Sequence, residues 1–279
     1  MKRFLSRLPI LKKVLHPKPI VPVLRFTGVI GEQGRFAQGL NLAAVSSSLT
    51  KAFSVADAKA VAIIINSPGG SPVQSGLIFS RIRELADEKD KQVFVFAEDV
   101  AASGGYLIAC AGDEIYVHDA SVVGSIGVIS AGFGFVELLN KVGVERRVYT
   151  AGESKSMLDP FKPEEPEDIE RLKQLQSDIH TYFKDLVRDR RGDRLKAPRK
   201  QVFSGDIWVG KKAVSAGLVD GVGTVRDVMR EKFGKDVDLP LIQSKRKFRL
   251  PFMAHGPALS ARTLLSELRS QADWSRFGQ

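Results

Sequence analysis

The feature of this sequence that most restricts its fold is an unbroken apolar run that ends in a glycine-rich turn. Residues 60–66 read Ala-Val-Ala-Ile-Ile-Ile-Asn, and residues 67–71 read Ser-Pro-Gly-Gly-Ser. A strand without alternating polar positions is typical of a parallel sheet that is covered on both faces. Residues 73–85 follow with apolar side chains at helical spacing. The segment therefore predicts a strand, a tight turn and a helix of an α/β fold.

The same alternation of strands and helices continues along the chain. Strands that alternate with helices form a mostly parallel sheet joined by right-handed βαβ crossovers. We therefore predict one α/β body over residues 19–243, with an extension at each end. The predicted strands are 20–30, 60–66, 92–97, 114–118 and 145–150, and the predicted helices are 39–53, 73–85, 104–111, a long helix opened by Pro163 and Pro166, 210–217 and 224–233.

Positive charge is concentrated in the two extensions, residues 1–18 and 244–279. The net charge is +10, and residues 1–18 hold six basic residues and no acid, while residues 245–279 hold seven basic and two acidic residues. The body is thus close to neutral, which argues against a nucleic-acid-binding domain. Both extensions also contain leucine and aromatic side chains. They fit either amphipathic anchors for anionic lipid or solvated tails that pack on the body.

The apolar segments and the cysteine content indicate the compartment of the protein. No segment approaches the roughly 20 apolar residues that a membrane-spanning helix needs, and basic residues interrupt any secretory apolar region. We therefore expect a protein of the cytoplasm or of the cytoplasmic face of the membrane. The single cysteine excludes an intramolecular disulfide bond. Because Cys110 lies in the apolar stretch 107–111, we expect a packed core thiol rather than a reactive one.

A second glycine-rich turn surrounds Ser103. Residues 101–106 read Ala-Ala-Ser-Gly-Gly-Tyr and lie between a predicted strand and a predicted helix. Open α/β sheets bind their ligands just beyond the carboxyl ends of the strands, where this turn is expected. The hydroxyl would project there among backbone N–H groups that favour developing negative charge. Because serine is also a common helix N-cap, the residues alone leave a nucleophile and a cap open.

A nucleophilic serine needs a base, and the sequence offers two candidates. His118 is the one histidine of four that lies outside both extensions and the long helix. Lys155 lies beside apolar neighbours in the segment 151–160. The pKa of a lysine side chain in water is about 10.4. Lysine therefore becomes a base at neutral pH only when burial removes its water. Residue types alone leave both candidates open.

Four short motifs follow one another along the chain. They are Asn-Ser-Pro-Gly-Gly (66–70), Ala-Ala-Ser-Gly-Gly-Tyr (101–106), Val-Gly-Ser-Ile-Gly-Val-Ile (123–129) and Gly-Glu-Ser-Lys (152–155). In this order they resemble the signal peptide peptidase A family of bacterial serine proteases, and the segment 205–223 resembles that family's C-terminal module. The likeness covers about residues 20–230 and implies a ClpP/crotonase-like fold.

The resemblance also implies a role for individual residues. Ser103 falls on the family's nucleophile, Lys155 on its lysine base, and Ser125 on the serine that holds the lysine amine. On the residues alone, Ser125 is equally a turn hydroxyl in a Gly-Ser-Ile-Gly run. The amides that the resemblance implies for the oxyanion hole are those of Gly69, Gly70 and Gly104.

The family further implies peptide substrates, self-association and no cofactor. We expect apolar peptides, such as signal-peptide remnants or membrane-derived fragments, and no metal, nucleotide or nucleic acid. Because no long apolar segment is read near residue 1, we expect the family's usual N-terminal signal anchor to be absent. The basic extensions could replace it through contact with anionic lipid on the cytoplasmic side.

Two other functions fit parts of the sequence. Acyl-CoA hydratases and isomerases are similar in fold and also bind an oxyanion with glycine-turn amides, but they leave Ser103 and Lys155 without a role. A membrane-associated scaffold descended from a protease would use the basic extensions, but it would have no need of Ser103, Ser125 and Lys155.

Overall fold

The computed structural model describes residues 18–31 and 39–243 together with Trp274 and Phe277. Nearly all of the two basic extensions lies outside these residues, and their contact with a membrane stays a prediction. Among the residues described, no helix is both long enough and apolar enough to cross a lipid bilayer.

The chain divides into two compact units. The first, called here the sheet unit, comprises the described residues up to 126 and from 186 onward. All strands of the described chain belong to it. The second, called the inserted unit, comprises residues 127–185 and contains helices and loops.

A seven-stranded sheet forms the centre of the sheet unit. The strands are β1 (Val23–Thr27), β2 (Ala60–Ser67), β3 (Gln92–Ala102), β4 (Glu114–Val117), β5 (Val122–Gly124), β6 (Ile207–Val209) and β7 (Gly221–Val222). The order is β1-β2-β3-β4-β7, with β5 paired to β3 and β6 paired to β5. Every pairing is parallel except that of β5 with β6. The predicted α/β class with a mostly parallel sheet is thus confirmed.

Eight α-helices are present in the described chain, and the predicted helices are all among them. They are α1 (Leu42–Phe53), α2 (Pro72–Lys89), α3 (Gly104–Ala109), α4 (Val136–Val142), α5 (Pro166–Arg191), α6 (Arg199–Val202), α7 (Gly210–Ala216) and α8 (Val225–Phe233). Short 3₁₀ turns occupy Glu153–Ser156 and Gly192–Arg194. The short elements α4, α6, β5 and β6 carry too few residues for a clear sequence period and were not predicted.

β2 and the helix that follows it supply much of the core. All residues of β2 except Ile64 are buried, as expected for a strand between two parallel neighbours. Helix α2 begins directly after the glycine turn, because the Ser71 hydroxyl accepts the Gln74 N–H at 3.3 Å and Pro72 takes the first helical position. This helix fully buries Ile78, whose removal from water contributes about 1.5–3 kcal/mol.

A buried ion pair ties the end of α5 to the segment before β7. The Arg191 side chain is 1% exposed, and its guanidinium forms hydrogen bonds of 2.8 and 3.0 Å with Asp220. The carboxylate also accepts the Ile115 N–H at 2.8 Å. Burial acts to raise the pKa of Asp220, but the hydrogen bonds and charge of Arg191 outweigh burial and lower it overall. The pair thus replaces the water that both groups lose.

The strand predicted at 145–150 is wrong. These residues lie in the inserted unit, have no strand pairing and are exposed, with Tyr149 91% exposed. Their alternating valine and tyrosine side chains favour a strand, but β-propensity has little effect without a neighbouring strand and a buried face. The wider inserted unit also carries many exposed apolar side chains, including Phe133, Leu138 and Leu175.

Removing the negative partner of the buried pair tests its contribution to stability. Asp220→Asn should lower the free energy of unfolding by about 3 kcal/mol at pH 7, because the Arg191 charge stays buried without its counter-ion. Glu98→Gln is the matched control: its partner Arg25 is 52% exposed, and the loss should stay below about 1 kcal/mol. Urea unfolding measures both.

The pH dependence of the same difference follows from the lowered pKa of Asp220. A carboxyl group with a lowered folded-state pKa stabilises above its unfolded pKa of about 3.9 and loses the effect as pH falls through the folded value. The difference in the free energy of unfolding between wild type and Asp220→Asn should therefore be constant from about pH 8 to 5 and shrink only below about pH 4. A gap that closes near pH 6 would contradict the assignment.

Candidate active site

Ser103 occupies a strained turn between β3 and α3. Its backbone has φ 50° and ψ −122°, a region that residues other than glycine rarely adopt. The Ser103 N–H donates to Gly124 O at 2.8 Å, and Ser103 O accepts the Leu107 N–H at 3.0 Å. The hydroxyl forms no capping hydrogen bond, so the alternative role as an N-cap is not what the structure shows. The half-buried side chain instead stays available for chemistry.

Close packing around Ser103 explains the small residues of its motif. A Cβ added to Gly104 would lie 2.4 Å from Ser75 Oγ, and one added to Gly105 would lie 2.7 Å from Ser67 O. Neither distance can be accommodated without movement of the core. The lack of space therefore requires glycine at both positions after the serine.

The turn at Gly69 and Gly70 lies directly against Ser103. The two glycines have φ values of 109° and 139°, and a Cβ on Gly69 would lie 2.8 Å from Ser103 Cβ and 2.9 Å from Gly104 N. A Cβ on Gly70 would lie 2.1 Å from Ile30 O. Both the backbone conformation and the lack of space require glycine, and the turn brings main-chain groups next to the serine.

Hydrogen bonding within this turn distinguishes the amides of its two glycines. The Gly69 N–H donates to Ser67 Oγ at 3.2 Å. Gly69 O accepts the Ile30 N–H at 2.7 Å, and because the C=O and N–H of a trans peptide point in opposite directions, the Gly70 N–H points away from Ile30. The nitrogen of Gly70 lies 3.4 Å from the position of a Cβ on Gly104.

Two N–H groups beside Ser103 are consequently left without an acceptor. Across the part of the chain that the structure describes, the N–H groups of Gly70 and Gly104 donate to no other group. Donors held in place beside a nucleophile are the arrangement that stabilises an oxyanion. Of the three amides implied by the resemblance, those of Gly70 and Gly104 fit this role, whereas that of Gly69 is already bonded.

Ser125 lies one residue beyond the strand that binds the Ser103 backbone. It has φ 51° and follows Gly124, whose carbonyl accepts the Ser103 N–H. The Ser125 N–H donates to Asp206 O at 2.7 Å, and the residue is 8% exposed. The sheet unit therefore brings Ser103, Ser125 and the glycine turns together.

The two candidate bases occupy different units. Lys155 lies in the 3₁₀ turn Glu153–Ser156 of the inserted unit, and its side chain is exposed in the single chain. His118 follows β4 in the sheet unit, is also exposed, and accepts the Ala120 N–H with Nδ1 at 3.2 Å. Assignment of Lys155 as the base stays a prediction.

Two polar residues beside the site were missed by sequence reasoning. Ser67 is fully buried and bonded to the glycine turn, and Asn66 donates to Asp99 at 2.6 Å while accepting the Val100 N–H at 3.2 Å. Asn66 thus holds β3 where its register with β2 shifts. The signal was present, since both residues are polar and end an otherwise apolar strand.

Cys110 is fully buried, as predicted for a core thiol. Burial raises its pKa to about 12, so it has almost no thiolate at neutral pH.

Backbone strain at Ser103 makes a specific prediction about stability. The free energy of unfolding of Ser103→Gly should be about 1 kcal/mol higher than that of Ser103→Ala, because glycine tolerates the positive φ. The greater freedom of glycine in the unfolded state offsets part of this gain. At Ser121, where φ is not positive, glycine should instead be less stable than alanine by about 0.5–1 kcal/mol. Urea unfolding of the four variants tests this, and equal behaviour at both sites would contradict the strain.

Comparisons with known proteins bear on the family and the fold of this chain. The sequence profile of Peptidase family S49 matches residues 86–238. The chain is 51% identical over 271 residues to the Na(+)/H(+) antiporter NhaA of Brucella abortus, covering 92% of this chain and 37% of that protein. It is 37% identical over 172 residues to the chloroplastic serine protease SPPA of Arabidopsis thaliana, covering 59% of this chain and 24% of that protein.

A solved structure shares the fold. A serine-to-alanine mutant of the 1510-N membrane-bound stomatin-specific protease superposes with a TM-score of 0.50 at 15% identity, covering 82% of this chain and all of that chain. The family profile matches more than half of the present chain, although the chain spans well under half the length of the two sequence relatives. The chain belongs to peptidase family S49.

Proposed function

We propose that this protein is a serine endopeptidase in which Ser103 is the nucleophile and Lys155 the general base. The observation that carries the proposal is the strained turn at Ser103 beside the N–H groups of Gly70 and Gly104, which donate to no group of the described residues. Strain of this kind costs about 1–3 kcal/mol and persists mainly where function requires it. Membership of peptidase family S49 and the similarity to a plant serine protease support peptide hydrolysis.

The proposed mechanism is acyl transfer through a covalent intermediate. Neutral Lys155 removes the Ser103 hydroxyl proton, and Oγ attacks the peptide carbonyl carbon. The N–H groups of Gly70 and Gly104 bind the oxyanion that forms, and Ser125 orients the lysine amine. Lys155 then protonates the leaving amine, and water attacks the acyl-enzyme in a second round that regenerates Ser103.

Lys155 must lose its contact with water in the active state. A lysine amine acts as a base only after it has lost its proton, and desolvation is what favours the neutral form. The side chain is exposed in the single chain. The active state proposed here therefore differs from the single chain in the surroundings of this one side chain.

Self-association is proposed on the surface of the inserted unit. The unit exposes large apolar side chains, among them Phe133, at 81%, and Ile129, at 67%. The Phe133 ring also lies beside that of Phe135, with ring centroids 6.3 Å apart. Exposed apolar patches mark interaction sites on soluble proteins. A homo-oligomer would remove these side chains from water.

The proposed substrates are apolar peptides, such as signal-peptide remnants or membrane-derived fragments, cleaved without a cofactor. The proposed location is a bacterial cytoplasm, with contact to anionic lipid at its membrane through the basic extensions. The Brucella relative is named an antiporter, but only 37% of that protein is matched by this chain. The S49 profile and the turn at Ser103 favour a peptidase over ion exchange for this segment.

Neither of the two rival functions accounts for the strained serine. An acyl-CoA hydratase or isomerase would use the N–H groups of Gly70 and Gly104 but would leave the conformation of Ser103 without a purpose. A scaffold would need neither. Both rivals predict that alanine at Ser103 leaves the activity or binding of the protein intact.

Peptide hydrolysis by four single variants tests the assignment of the base. Ser103→Ala and Lys155→Ala should each reduce kcat on unfolded, fluorescently labelled casein at least about 10³-fold, since removal of one member of a catalytic pair disables the pair. His118→Ala and Lys141→Ala, which remove an exposed histidine and another exposed lysine, should stay within about threefold of wild type. Activity that survives Lys155→Ala but vanishes with His118→Ala would overturn the assignment.

Chemical restoration of the amine gives the sharper version of this test. The chain has one cysteine, and the high pKa of buried Cys110 protects it from alkylation. Lys155→Cys should be inactive and should regain at least about a tenth of wild-type kcat after aminoethylation, which rebuilds an amine of similar length. Lys141→Cys, treated in the same way, should be unaffected. Failure of aminoethylation to restore a folded Lys155→Cys variant would contradict the lysine mechanism.

A further inference from the structure

The glycine turn at the candidate active site is joined to the segment after β1 by four hydrogen bonds. Three of them join main-chain groups: Gly28 N–H to Asn66 O at 3.0 Å, Ile30 N–H to Gly69 O at 2.7 Å, and Ser71 N–H to Ile30 O at 2.8 Å. The fourth comes from a side chain, the Ser67 hydroxyl, which donates to Gly28 O at 2.7 Å. Ser67 is therefore the one position in this set at which a substitution removes a bond.

The Ser67 hydroxyl is occupied on both sides and has a defined direction. Gly28 O can only accept a hydrogen bond, so the hydroxyl proton points there, and the oxygen then accepts the Gly69 N–H at 3.2 Å. Ser67 is fully buried, and its bond with the Gly69 N–H is buried as well. Neighbouring atoms leave little freedom, since a Cβ on Gly105 would lie 3.3 Å from Ser67 Cβ.

This arrangement determines which amide of the turn stays available. With the Gly69 N–H bound to Ser67 and the Gly69 carbonyl bound to Ile30, the peptide planes on both sides of Gly69 are fixed. The next N–H, that of Gly70, must then point away from Ile30, and it has no acceptor within the described chain. Without the hydroxyl, the buried Gly69 N–H would lose its acceptor, which favours rotation of the turn.

We propose that Ser67 is a positioning residue of the active site, whose hydroxyl holds the Gly69 N–H and thereby keeps the Gly70 N–H directed at the oxyanion. This inference rests on the proposed peptidase function and extends it to a residue other than the proposed nucleophile, base and oxyanion donors. Its effect is expected on the chemical step rather than on substrate binding, because the oxyanion exists only in the transition state and intermediate.

Kinetics of Ser67→Ala test the proposal. With a quenched-fluorescence apolar peptide as substrate, kcat should fall about 10- to 100-fold, less than or equal to the loss of a whole oxyanion donor, while KM stays within about threefold. The inhibition constant of a peptide aldehyde of the same sequence should rise by the same factor as kcat falls, since its adduct carries the oxyanion. A purely structural role would leave the ratio of this constant to KM unchanged.

Ser121→Ala is the matched control. Ser121 is 1% exposed and has the same pattern of bonds, donating to Ala97 O at 3.1 Å and accepting the His118 N–H at 2.9 Å. It should lose stability to a similar extent and keep kcat within about threefold of wild type. If Ser67→Ala does not fold, Ser67→Cys replaces it. Because a thiol forms only weak hydrogen bonds, the kcat of Ser67→Cys should lie between the wild-type value and the value expected for Ser67→Ala.

The outcomes separate this proposal from the proposed function. A wild type that cleaves the peptide through Ser103, together with Ser67→Ala or Ser67→Cys at wild-type kcat, would overturn the role of Ser67 and leave the peptidase intact. Equal losses of kcat in Ser67→Ala and Ser121→Ala would also overturn it, as an effect of general destabilisation. A wild type without cleavage that depends on Ser103 would contradict the peptidase function itself, and the role of Ser67 with it.

Discussion

The contact between the Ser103 turn and the glycine turn determines most of what surrounds it. Gly69 approaches Ser103 so closely that a Cβ would lie 2.8 Å from the serine Cβ, and Gly104 leaves no room beside Ser75. Each backbone must therefore pass the other without side chains between them. The parallel pairing of β2 with β3 holds the two turns at the same edge of the sheet, where α/β folds bind their ligands.

Part of the folding free energy holds the groups at this edge of the sheet in a fixed arrangement. The Ser103 conformation costs about 1–3 kcal/mol. The buried strands β2 and β3, with the ion pair of Arg191 and Asp220, supply stability that offsets this cost. An oxyanion would meet donors already in place, so little reorganisation accompanies the reaction.

The structural elements that could be predicted are those determined by residues close together in the sequence. The apolar run at 60–66 and the small residues around Ser103 determine a buried strand and a sharp turn wherever they occur, and both were found. Long-range relations were harder. Residues 145–150 have strand-forming side chains but no strand to pair with, and the single-residue choice between the Gly69 and Gly70 amides depends on the buried Ser67 hydroxyl.

The residues with proposed catalytic roles belong to different units. The sheet unit holds Ser103, the amides of Gly70 and Gly104, and Ser125, whereas the inserted unit holds Lys155 in a short exposed turn. Motif resemblance could name Lys155, but its ionisation depends on solvent exposure, which spacing in a sequence does not encode. The proposed role of Ser103 is thus supported by the geometry of its turn, whereas that of Lys155 is supported by the motif resemblance alone.

The central claim, that the turn makes the Ser103 hydroxyl nucleophilic, is tested most directly by mapping the site of reaction with a fluorophosphonate. Peptide mass spectrometry of the labelled full-length protein should find one adduct per chain, on Ser103, and none on the Ser103→Ala variant. An adduct confined to another serine, or an unlabelled Ser103 in a folded protein that hydrolyses peptides, would contradict the account.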